Sequence, residues 1–72
     1  MQNWEIVLGY LRKQKDEAST LFYPVSLDEI VKSLYPNLSR EDIKAALKEL
    51  EYSGDVMSES IPGHPKTWEA LT

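Results

Sequence analysis

The chain predicts a single α+β domain in which three short helices precede a β-hairpin. Three observations predict it. An apolar stripe at helical spacing recurs in three separate segments, serine caps open two of them, and beyond Gly54 the pattern turns to strand alternation around Ile61-Pro62-Gly63-His64-Pro65. With 72 residues there is room for one domain, spanning 1–72, because chains this short bury only about 60% of their unfolded surface and cannot divide their core. A composition 42% hydrophobic and 28% charged is that of a globular chain rather than a disordered one.

The first helix is expected from Asn3 to Lys15, with Asn3 as N-cap and Glu5 in the first turn, where a carboxylate meets the positive helix end. Trp4, Val7, Leu8 and Leu11 fall at i, i+3, i+4 and i+7, one buried stripe, and Ile6 with Tyr10 adds a partial second. Arg12, Lys13 and Lys15 suit the negative end of the helix dipole, and the same three cations would also suit a phosphate. Asp16 to Thr20 reads as a loop. Leu21 to Val25 reads as a short extended piece, limited to a sheet edge because Pro24 has no amide to donate.

Ser26 and Glu29 have capping-box spacing, and Leu27, Ile30, Val31 and Leu34 repeat the stripe until Pro36 stops the second helix. The tight connection Tyr35-Pro36-Asn37-Leu38 leads to Ser39, a second cap with Asp42 as its reciprocal partner. The stripe Ile43, Ala46, Leu47, Leu50 follows, and Gly54 supplies a left-handed stop. Val56 and Met57 then start a strand, Ser58 to Ser60 is polar, and Lys66 to Leu71 returns with Trp68 and Ala70 on one face. Helix, minimal strand, two helices across a short turn and a hairpin make the order of a winged helix-turn-helix.

Composition narrows the chemistry. Without cysteine there are no disulfides, thiolate metal sites or thiol nucleophiles. His64, the only histidine, sits in the hairpin loop with no second soft ligand, and neither a nucleophile elbow nor a phosphate-cradling glycine loop is present. A non-catalytic protein with no metal and no cofactor is expected. Neither a signal pattern nor an apolar run near about 18 residues appears, so the expectation is a soluble, cytoplasmic chain with no membrane contact.

A formal charge of −4 runs against generic nucleic-acid binding, so any such role needs a local patch. Opposite the third stripe, Arg40, Lys44 and Lys48 form an i, i+4, i+8 row that Tyr52 continues, and Lys66 with His64 on the hairpin offers a second contact. These six are the candidate nucleic-acid contacts. Against that reading, Glu41, Asp42, Glu49 and Glu51 bring the stretch to net −1, the mixed charge of a solvated face. Ile61 and Trp68 on the hairpin are the candidate contacts for a protein partner.

The residues Ile43, Leu47, Leu50, Val56, Pro65 and Trp68 resemble the Zα winged helices that bind left-handed nucleic acid, including their proline-then-tryptophan wing. In those domains an asparagine and a tyrosine on the outward face of helix 3 touch the ligand, and the matching positions here are Lys44 and Lys48. Lys66 stands where those domains carry a second wing proline. Phe22-Tyr23, the run Leu34 to Leu38, and Asp42-Ile43-Lys44 with Leu47 are similar to the small winged-helix D protein associated with dissimilatory sulfite reductase, though its aromatic, serine- and glycine-rich hairpin is absent. The acidic character resembles the terminal winged helices of replication proteins, such as the middle subunit of the single-strand-binding trimer and archaeal minichromosome maintenance helicases, which commonly dock proteins. These resemblances imply one fold and two ligand classes, DNA or a protein partner.

Overall fold

A computed structural model of the chain describes residues 2–17 and 24–71. Of the expected loop from Asp16 to Thr20, Asp16 and Glu17 belong instead to the first helix, and Ala18 to Thr20, with Leu21 to Tyr23 of the expected extended piece, lie outside the described residues. The elements are helix α1 (Asn3–Glu17), strand β1 (Val25–Ser26), helices α2 (Leu27–Leu34) and α3 (Arg40–Ser53), and strands β2 (Val56–Glu59) and β3 (Thr67–Ala70). The strands form one antiparallel sheet in the order β1-β3-β2, so the last strand is the central one.

Local chemistry accounts for most of the boundaries. Asn3 is already inside α1, and Gln2 takes the cap position instead. Its carbonyl accepts from Glu5 and Ile6, while the Glu5 carboxylate accepts from its amide at 3.0 Å. At α2 only half of the expected capping box forms: the Ser26 hydroxyl accepts from the Glu29 amide at 3.3 Å, while Ser26 itself ends strand β1 opposite Thr67 and the Glu29 carboxylate does not return to its amide. At α3 the capping box closes both ways: the Ser39 hydroxyl accepts from the Asp42 amide at 3.1 Å, and the Asp42 carboxylate accepts from the Ser39 amide at 3.2 Å.

Gly54 ends α3 with φ 85°, and the amides of Gly54 and Asp55 return to the carbonyls of Glu51 and Leu50, a Schellman closure. In the hairpin, His64 donates its amide to the Ile61 carbonyl at 2.9 Å with Pro62 and Gly63 between them and Gly63 at φ 84°. That is a type II turn, which needs a residue tolerant of positive φ at its third position. Strand β2 runs on through Glu59, further than the polar Ser58 suggested, because pairing with β3 compensates for poor strand propensity. The return strand starts at Thr67, one residue later than expected.

One core joins both layers. Val7, Leu8 and Leu11 of α1 and Ile30 of α2 meet the α3 stripe of Ile43, Ala46, Leu47 and Leu50, and the sheet adds Val25, Val56, Trp68 and Ala70. Fully burying such an aliphatic side chain contributes about 1.5–3 kcal/mol. Trp4 departs from the expected stripe. It stays 36% exposed in the first turn of α1, where it lines two open hollows together with residues of α3. Polar links tie the far ends together: the Tyr10 hydroxyl lies 3.0 Å from that of Ser33, and Lys15 donates to the Ala70 carbonyl at 3.2 Å. Among the described residues no helix is long and apolar enough to cross a membrane.

Candidate functional site

The hairpin meets α3 through β2, while Lys66 and Trp68 of its other arm reach Glu51 at the end of α3, and the first turn of α2 closes the opposite end. The result is a groove made of two adjoining hollows of about 410 and 200 Å³ that share Leu27, Lys66 and Trp68. Leu27, Leu47 and Trp68 form its apolar floor. Lys44 and Lys48 stand along the α3 rim, Arg40 at the α2 end, and Lys66 on the hairpin arm. Each is exposed.

The cations differ in how they are held. Arg40 pairs with Asp28 at 2.9 Å, an ion pair in which both side chains are mostly in solvent and which therefore adds about 0–1 kcal/mol. Lys66 lies 5.3 Å above the Trp68 ring and 3.9 Å from Glu51. Its ammonium is thus placed over the groove by the indole face as much as by the carboxylate. Lys44 and Lys48 have no ion pair among the described residues and are free to take an anion.

Glu51 is the groove's cross-link. Its carboxylate accepts from the Trp68 indole Nε1 at 2.7 Å and from the Ser58 hydroxyl at 3.1 Å, and so joins α3 to both arms of the hairpin. In the sequence it counted as a charge cancelling the basic row. The available signal was Trp68 itself, since a buried indole N–H requires an acceptor and the end of α3 is the element that runs alongside. Leu27 and Asp28, which the sequence placed only in a helix, also line the groove.

The structure therefore gathers Arg40, Lys44, Lys48 and Lys66 in one place and leaves the other candidates apart. Tyr52 lies one turn beyond Lys48 and is 96% exposed, outside the groove lining. His64 and Ile61 sit on the hairpin turn, also outside it, with Ile61 about half exposed. Trp68 is only 8% exposed and belongs to the core, so what it offers any ligand is the groove floor rather than a free ring. Comparison of the chain with protein-family models, with curated proteins and with solved structures returns no match.

Proposed function

We propose that the chain is a non-catalytic winged-helix domain that binds DNA along the groove between α3 and the hairpin, with Lys44, Lys48, Lys66 and Arg40 as phosphate contacts. The observation that carries this reading is the sorting of charge. Among the described residues, four of the chain's eight basic residues line the groove with two of its twelve acidic ones, Asp28 and Glu51. The groove is then net +2 in a chain that is −4 overall, which leaves −6 on the rest. Segregation of that kind turns an acidic protein toward a polyanion through one face.

Backbone contacts made by three or four cations imply affinity that falls about 40- to 150-fold between 50 and 200 mM salt. Fluorescence anisotropy with labelled duplex and single-stranded DNA at those two concentrations measures this directly. The double change Lys44→Glu, Lys48→Glu should abolish saturable binding, and affinity retained within about twofold sinks the proposal. The competing reading, a module that docks a protein through its hairpin, draws on Ile61 standing exposed beside the turn. Its signature is salt-tolerant binding to a protein together with no DNA binding at physiological ionic strength.

A further inference from the structure

The opposite flank of α3 carries a second, differently built surface. Residues 42, 45, 49 and 53 recur on that flank at helical spacing, turned away from Lys44, Lys48 and Glu51. Trp4 of α1 leans against it, and two hollows of about 280 and 240 Å³ adjoin the ring. The hollows are lined by Asp42, Glu49 and Asp55, with the small Ala45 leaving room between helices, and no cation among the described residues lines either of them. The Glu49 carboxylate makes no ion pair or hydrogen bond among the described residues.

A tryptophan on the main apolar stripe of its helix normally closes over the core, yet this ring is left 36% exposed beside two openings. An indole face rimmed by carboxylates complements one side chain better than others. Guanidinium is planar, weakly hydrated, stacks on indole and forks onto carboxylates. We propose that the Trp4 flank docks an arginine-bearing basic segment of a partner protein, with one guanidinium over the Trp4 ring and its neighbours paired to Glu49 and Asp55. A second copy of this chain is a poorer occupant: it carries the same net −4, and two of its four groove cations already face Asp28 and Glu51. This docking does not depend on what the groove binds, because the two surfaces share no lining residue.

The test uses an acetylated, amidated octapeptide of alternating arginine and glycine, titrated into the 15N-labelled chain. Amide shifts should concentrate around Trp4, Glu49 and Asp55. Glu49→Lys should weaken binding about tenfold and Trp4→Ala about fivefold, whereas Glu59→Lys, the same charge change on exposed β2, should leave it within about twofold. Should Trp4→Ala fail to fold, the contrast between Glu49→Lys and Glu59→Lys decides alone. Equal weakening by the two lysine variants would reduce the effect to net charge and overturn the site, as would shifts spread over the whole surface. Self-association that disappears in Lys44→Glu, Lys48→Glu would name a second copy as the occupant and overturn the proposal too.

Discussion

At the scale of single residues, Glu51 has the most to lose. Its carboxylate accepts from the Trp68 indole and the Ser58 hydroxyl and faces the Lys66 ammonium, so one side chain satisfies the core tryptophan and sets the hairpin against α3. Glu51→Ala strands a nearly buried N–H and should cost about 1–3 kcal/mol in a urea melt, with a change in Trp68 emission. Glu51→Gln is the informative contrast. It keeps an oxygen for the indole, so its stability cost should be smaller, and it removes one of the two acids in the groove. On the DNA-binding proposal, Glu51→Gln therefore tightens DNA binding while slightly weakening the fold, opposite signs that a purely structural role does not produce. Unchanged or weaker DNA affinity in a folded Glu51→Gln protein would count against Lys66 as a phosphate contact.

At the scale of elements, α3 is the best specified, because both of its ends are fixed by bonds within a few residues. Ser39→Ala removes the hydroxyl half of the capping box and should lower stability by about 1 kcal/mol. Gly54→Ala should cost about as much for a different reason: a Cβ there meets nothing within 4 Å, so the penalty is backbone strain at φ 85° rather than a clash. Thermal melts of the two variants and of the pair test this, and near-additive losses are expected for caps at opposite ends of one helix. The same locality explains what could be read in advance. The α2 and α3 limits, the glycine stop, the hairpin turn and the Arg40–Lys44–Lys48 row all follow from contacts or spacings inside a short window. The exposed Trp4, the length of β2 and the bridging part of Glu51 depend on which elements lie alongside one another. The stripe places Trp4 by period alone, and period does not tell how much of the neighbouring helix reaches the first turn to cover the ring.

At the scale of the whole molecule, the groove and the core are one construction. Leu47 is 1% exposed and belongs to the hydrophobic cluster, yet it also lines the groove floor between Lys44 and Lys48, so there is no second layer behind the proposed contact surface. A domain of this size has a total stability of about 4–11 kcal/mol, and Leu47→Ala would remove about 2–5 kcal/mol of it. The central strand β3 pairs with β1 and β2 on its two sides while Trp68 and Ala70 sit in the core, which leaves the hairpin no support of its own. Unfolding should accordingly be all-or-none, as small single-core domains usually are. Helical far-UV circular dichroism and Trp68 fluorescence, followed in a Trp4→Phe background so that only one indole reports, should fall at the same urea concentration in the parent and shift together in Leu47→Ala. A fluorescence transition preceding the helical one would mean that the hairpin detaches first. The arm carrying Lys66 would then be a separately ordered element, and the groove would be assembled by its ligand rather than present beforehand.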